Sequence, residues 1–237
     1  MLEMSWWGER DQVKIRARFT KEEPVRFISH LDLARTVERA VRRAGLPVLY
    51  SQGFNPRPKI AFGSALALGI TSSAEYVDME FANGFGIDEF LRAINANLPP
   101  GIRFKEAKAI PSNTAPLMSV IDRAQYVITG DLGQDGVLSS IVQRILDSDE
   151  IWIERPGKKQ RRRINIRPWI FSLEVLEEGL EASSLSLLVQ TGSSGNVRPE
   201  EVAEQFPWAA GQPLIHRSGL FIAQGSRLLS PLDVAHH

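Results

Sequence analysis

Two apolar periodicities take turns along this chain, and their order restricts the folds it can adopt. Val13–Phe19 reads VKIRARF, apolar and basic residues alternating, the period-two signature of a strand with one buried face. Ser29 then offers an N-cap, and Asp32 three residues on gives a capping-box-like start. Leu33, Val37, Ala40, Val41 and Ala44 share one stripe of the helix that follows, and Gly45 suits the position just past its end. Leu46–Ser51, Ile60–Phe62 and Glu75–Phe81 read as strands, the last continuing an element interrupted near Gly69. Ile87–Leu98 reads as a second amphipathic helix and Ile102–Ala107 as a closing strand. The order β-α-β-β-α-β is that of a ferredoxin-like, or split βαβ, unit.

The second half repeats the rhythm. Tyr126–Thr129 reads as a strand, and Val137, Leu138, Ile141, Val142, Ile145 and Leu146 fit one helix face. Ile151–Glu154, Arg163–Arg167 and Leu185–Gln190 read as strands, Pro199 opens a short helix to about Phe206, and Leu220–Ala223 closes the sheet. A Pro-, Ser- and Asn-rich stretch between Lys108 and Arg123 marks a linker. The predicted architecture is therefore α+β: two tandem ferredoxin-like units with antiparallel sheets, over 11–110 and 124–235, joined by a linker at 111–123. No residue-level repeat links the halves, so one continuous α+β domain with a shared sheet is the alternative.

Composition excludes several chemistries. The chain has no cysteine, which removes disulfides, thiolate zinc sites, cysteine nucleophiles and the thiolates that hold an iron–sulfur cluster. No histidine accompanies His30 at metal-binding spacing, so no metal is expected. No apolar run is long enough to cross a bilayer and no signal-peptide pattern is seen at Met1, which makes the cytoplasm the default compartment. The net charge of zero hides an uneven distribution: twelve Lys/Arg against six Asp/Glu lie between Glu9 and Lys59. Arg155–Arg167 carries seven basic residues and no acid.

Two stretches carry candidate sites. In Ser51–Gly63, Gly53 permits a positive φ while Pro56 and Pro58 stiffen the chain, presenting Gln52, Asn55, Arg57 and Lys59 at low entropic cost. A guanidinium takes phosphate or carboxylate bidentately, and Lys59 adds a point charge. The competing reading is a turn whose Asn and Gln bond their own backbone. The loop lacks the spacing of a P-loop or dinucleotide fingerprint. Just upstream, His30 suits acid–base chemistry with Asp32 orienting it. Equally, Ser29 and Asp32 cap the helix while His30 packs on a strand. Arg35, Arg39, Arg42 and Arg43 stand on the polar side of that helix, to contact phosphates or only to solvate it.

The second stretch is RPGKKQRRRINIRPW, Arg155–Trp169. Arg161, Arg162, Arg163 and Arg167 suit a nucleic-acid backbone, with Trp152, Trp169 and Phe171 nearby to stack on bases. Its bland counterpart is a basic hairpin lying against the acidic run Glu174–Glu181. TGSSGNVRPEEV, Thr191–Val202, is either an anion-favouring helix start or a routine turn.

RFISHLDLARTVERAVRRAG and YSQGFNPRPKIAFG, with the motifs HLDL at His30–Leu33 and QGFNPRPKIAFG at Gln52–Gly63, closely resemble the radical-SAM-linked domain family of unknown function. The likeness returns at RRINIRPWIFSLEV and TGSSGNVRPEEV. It implies a domain fused to, or encoded beside, a radical S-adenosylmethionine protein of the cobalamin-binding type. S-adenosylmethionine, the iron–sulfur cluster and cobalamin would then be held by that partner and not by this chain. Met1–Glu9, with Trp6 and Trp7, reads as a docking segment or the remnant of a junction.

The sequence is read as that of a non-catalytic accessory module that binds RNA (tRNA or rRNA), docks onto the radical enzyme to present substrate, or does both. The RNP1 aromatic signature is missing from its strands. An RNA-processing or RNA-modifying enzyme with a site at His30, Asp32, Asn55 and Arg57 is the alternative, and a protein–protein adaptor the second.

Overall fold

The computed structural model describes residues 12–82, 84–132, 137–157, 160–179, 182–209 and 211–233. Trp6, Trp7 and the terminal His236–His237 lie outside the described residues. The chain divides into two units. Unit 1 takes the described residues up to Leu68, Glu75–Val120 and those from Ser230; unit 2 takes Gly69–Ala74 and Ile121–Leu229.

Unit 1 runs β1 (Val13–Lys21), α1 (His30–Arg43), β2 (Ile60–Phe62), β3 (Thr71–Phe81), α2 (Ile87–Asn95), β4 (Ile102–Ile110) and the short α3 (Leu117–Val120). Its sheet order is β4-β1-β3, with β2 paired to β3. β1 and β4 are antiparallel, as are β2 and β3. This is the strand arrangement of a split βαβ unit, as the apolar rhythm predicts. Ser29 caps α1 by accepting from the Asp32 amide at 3.1 Å. Gly45, at φ 67°, ends the helix in the left-handed region that a Cβ disfavours. The core joins Ile15, Ala17 and Phe19 of β1 to Leu33, Val37 and Val41 of α1, with Phe81, Phe90 and Phe104 beside them. Phe19 and Phe104 stack at 5.2 Å between ring centroids.

The structure departs from two local expectations. Leu46–Ser51 forms no strand; it makes only isolated bridges, Val48 with Phe81 and Tyr50 with Pro58. Pro47 removes one ladder donor, and the chain turns back at once so that the Lys59 amide donates to Leu49 O at 2.7 Å. The basic face of β1 is not solvated either. Arg16 is 1% exposed, held by Asp78 through Nε–Oδ1 at 2.7 Å and Nη2–Oδ2 at 2.9 Å. Buried charge persists only when paired in this way.

Unit 2 runs β5 (Arg123–Gly130), α4 (Val137–Asp147), β6 (Trp152–Arg155), β7 (Arg162–Asn165), β8 (Ile170–Glu177), β9 (Ser183–Gln190), α5 (Pro199–Ala203), β10 (Leu214–Gln224) and β11 (Arg227–Leu229). The sheet order β10-β5-β9-β8 is antiparallel throughout, again the split βαβ order, and β11 pairs β10. β6 and β7 form a separate two-stranded sheet inserted between α4 and β8. Arg163–Arg167 is therefore not a strand of the main sheet: β7 stops at Asn165, and a 3-10 turn follows over Arg167–Trp169. Its place is taken by β8, which pattern reading passes over. Register shifts between Ile170 and Ser172 and between Val175 and Glu177 break its alternation, and Glu174 and Glu177 give this edge a polar look.

Thr71 and Ser72, at the start of β3, pair in parallel with His216 and Arg217 of β10. The His216 ring meets Thr71 Oγ1 through Nδ1 at 2.9 Å and Ser73 Oγ through Nε2 at 3.2 Å. Burial lowers its pKa below the ordinary 6.5. The unfolded chain thus takes up a proton at pH values where folded His216 is still neutral. Stability from this site is full above about pH 6.5 and is lost as pH falls through the lowered value. Urea midpoints measured from pH 8 to 5 should fall more steeply for the wild type than for His216→Gln. Parallel curves would remove His216 from the account.

Candidate nucleic-acid interface

The Ser51–Arg57 loop is closed at its base. The Ser51 amide donates to Arg57 O at 2.8 Å, and the Arg57 amide to Ser51 Oγ at 3.0 Å. Gln52, Asn55 and Arg57 are exposed, and their side chains have no partner among the described residues. Lys59 does not stand as a free charge beside Arg57, because its Nζ pairs with Glu80 Oε2 at 2.7 Å. The most exposed large apolar side chain here is Phe54, at 106% of its reference area. Reading the loop for polar groups passes over it.

His30 and Asp32 are not joined by any hydrogen bond among the described residues. The His30 ring stands edge-on to Phe62 with 5.4 Å between centroids, and its Nδ1 is buried without a hydrogen-bond partner. Asp32 accepts from Ser29 Oγ at 2.7 Å, so its carboxylate completes the start of α1. Arg35 approaches Asp32 at 3.8 Å, an exposed pair of little energetic weight.

In unit 2 the β6–β7 hairpin sorts its residues by the pleat. Trp152 lies opposite Asn165, Glu154 opposite Arg163, and Arg155 opposite Arg162. Trp152, Glu154, Arg161 and Arg163 therefore share one face, and Ile153, Arg155, Arg162 and Ile164 the other. On the first face the Arg163 guanidinium lies 4.7 Å from the Trp152 ring centroid, and Trp152 is 45% exposed. Its indole N–H donates to Glu150 Oε2 at 2.8 Å, which limits ring rotation. Arg161, 79% exposed, meets Glu154 at 3.2 Å, a pair too solvated to neutralise it fully. Exposed Arg162 has no partner among the described residues.

The second face anchors the hairpin. Arg155 grips Glu201 with Nε–Oε1 and Nη2–Oε2 both at 2.6 Å and also donates to Asn196 O at 2.6 Å. Glu201 in turn accepts the Arg198 amide at 3.0 Å. The start of α5 is thus supplied with an anion by the chain's own carboxylate, which answers the open reading of TGSSGNVRPEEV. Arg167 is also an anchor, donating to Leu146 O at 2.7 Å and Ile170 O at 3.2 Å.

The other aromatics differ in availability. A Cβ on Gly195 would come within 2.6 Å of the Trp169 ring, so this glycine lets the indole pack on the turn. Phe171 stays exposed, with the Arg123 guanidinium 4.0 Å from its centroid. Of the acidic run, Glu178 is engaged elsewhere than on the hairpin strands. It accepts the Leu138 amide at 2.8 Å and Ser139 Oγ at 2.6 Å, at the start of α4.

Together these features define an α+β protein of two split βαβ units, one bearing an anchored, basic and aromatic hairpin. The chain belongs to the family described as "Uncharacterized protein conserved in bacteria (DUF2344)", whose model matches residues 14–199. No curated protein matches it. Among solved structures it is similar to a chain of "Crystal Structure of a Cbf5-Nop10-Gar1 Complex", with TM-score 0.47 and 12% identity over 88% of this chain and 48% of that one. It is also similar to a chain of "Crystal structure of the archaeal box H/ACA sRNP Nop10-Cbf5 complex", with TM-score 0.40 and 11% identity over 86% and 46%. The chain spans about half the length of these structures. At such scores neither likeness bears on what this chain binds. Among the described residues no helix is long and apolar enough to cross a membrane, and no group of acidic and histidine side chains is arranged to hold a metal ion.

Proposed function

We propose that this protein is a non-catalytic accessory module that binds RNA through the outer face of the β6–β7 hairpin. The observation that carries the reading is the Arg163–Trp152 pair, a half-exposed indole with a guanidinium over its ring. An aromatic face of this kind stacks on any base, and neighbouring guanidiniums take the backbone phosphates. Arg155 and Arg167 hold the hairpin by its roots, so little order remains to be imposed on binding. The family resemblance adds a radical S-adenosylmethionine protein as the enzyme to which the RNA is presented. S-adenosylmethionine, iron–sulfur cluster and cobalamin would all reside on that partner, since this chain has no thiolate with which to hold a cluster.

The test is fluorescence anisotropy with labelled single-stranded RNA across a salt series. Trp152→Ala is expected to weaken binding by about 1–3 kcal/mol, the usual worth of one base–aromatic stack. Arg161→Ala/Arg162→Ala/Arg163→Ala should flatten the salt slope by about 0.7 for each phosphate no longer neutralised. Arg57→Ala/Lys59→Ala reports separately on the unit 1 loop. Absence of binding by the wild type, or binding indifferent to the hairpin variants, overturns the proposal. Capture of the radical enzyme would then become the primary experiment.

A further inference from the structure

A second site lies within unit 1. α1 and the turn from α2 into β4 enclose a cleft of about 390 Å³, lined by Thr36, Arg39, Arg43, Asn97, Leu98 and Pro99 among others. This is the size of a small-metabolite site. Arg39 and Arg43 stand one helical turn apart on α1, so their like charges face the same space. Neither has an ion-pair partner among the described residues; Arg39 only returns its Nε to Arg35 O at 3.2 Å. Among the described residues no carboxylate lines the cleft. The helix dipole accounts for a cation in the last turn of α1, but not for two guanidiniums lining one cleft with no carboxylate among its described lining residues.

The remaining polar groups narrow the ligand class. Thr36 Oγ1 donates to Asp32 O at 2.7 Å and so offers only lone pairs to the cleft. Asn97 Nδ2 donates one hydrogen to Ala93 O at 2.9 Å, which leaves its second N–H and its Oδ1 for a ligand. Of the backbone donors along this turn, the amides of Ala96 and Asn97 go to Arg92 O and Ile94 O, while the Leu98 amide has no partner among the described residues. The cleft therefore combines guanidinium donors for an anion with the Thr36 oxygen and the Asn97 amide, which together accept from and donate to hydroxyl groups, beside the apolar side chains of Leu98 and Pro99. We infer that it binds a phosphorylated sugar, with Arg39 and Arg43 on the phosphate and Thr36 and Asn97 on sugar hydroxyls. A free sugar phosphate and a ribose-phosphate unit of RNA share this chemistry. The inference involves unit 1 alone and does not depend on the hairpin.

Isothermal titration of the full chain with ribose 5-phosphate, inorganic phosphate and a 5′-phosphorylated single-stranded RNA separates the sources. Arg39→Gln/Arg43→Gln keeps helix propensity on an exposed face, and thermal unfolding serves as its folding control. Ribose 5-phosphate binding that falls at least 10-fold in the variant supports the site with a free sugar phosphate as ligand. RNA binding alone, weakened to the same extent by the variant, supports it with the polymer as ligand. Inorganic phosphate bound as tightly as ribose 5-phosphate overturns the sugar assignment. Ribose 5-phosphate binding insensitive to the variant, or no ribose 5-phosphate binding together with RNA binding that is absent or insensitive to the variant, overturns the site.

Discussion

Replacing Asp78 with Ala is expected to destabilise unit 1 by about 3–5 kcal/mol, the usual consequence of leaving a buried charge without its partner. Asp78 is 4% exposed and Arg16 1%. The guanidinium spends its donors on both Asp78 oxygens, on Pro231 O at 3.1 Å and on Ala115 O at 3.1 Å. Lys14 adds a second cation 3.8 Å from Asp78 Oδ2 while bonding Thr114 O at 3.0 Å. Without the carboxylate, two cations remain in low dielectric with only neutral carbonyls to meet them. The double replacement Arg16→Met/Asp78→Leu should cost clearly less than the single one, because it removes both the charge and its need for a partner. Urea denaturation of the wild type and the two variants reads this directly. A loss below about 1 kcal/mol in Asp78→Ala would show that water reaches the pair.

The second large effect concerns the hairpin anchor. Glu201→Ala should lower stability by about 2–3 kcal/mol, since it strips a charged acceptor from a largely buried Arg155 and from the Arg198 amide. Its effect on RNA binding has an informative sign. Removing a negative charge near the proposed RNA-binding face raises affinity if charge alone matters. If the hairpin must be held in place, affinity falls, because ordering it is added to the cost of binding. A fall in affinity is expected, with no residue of the outer face altered. A rise would show that Arg155 and Glu201 are only part of the electrostatic background.

Much of the fold was legible because its elements are amphipathic in isolation. The α1 stripe from Leu33 to Val41, the Ser29 cap and the Gly45 stop are local properties, and the helix follows them. β5, β9 and β10 likewise carry their apolar runs in sequence. The apparent strand at Leu46–Ser51 and the hidden one at Ile170–Glu177 were not legible, since pairing and bulges decided both. The site followed the same division. Residue types named the candidates, but whether a cation is free depends on what folds next to it. Lys59 meets Glu80 from β3, and Arg167 meets the carbonyl of Leu146.

Periodicity alone was enough for α1, α2 and α4 and for the strands β1, β5 and β9, and composition for the lack of thiolates and the concentration of positive charge at Arg155–Arg167. These are one-dimensional properties: periodicity, composition and spacing. That Arg16 is buried, that Glu201 is gripped by Arg155 and that Arg163 lies over an exposed Trp152 came from the folded structure. Charge pairing and solvent exposure depend on distance in space, and residues such as Arg16 and Asp78, or Arg155 and Glu201, become neighbours only when the sheets close.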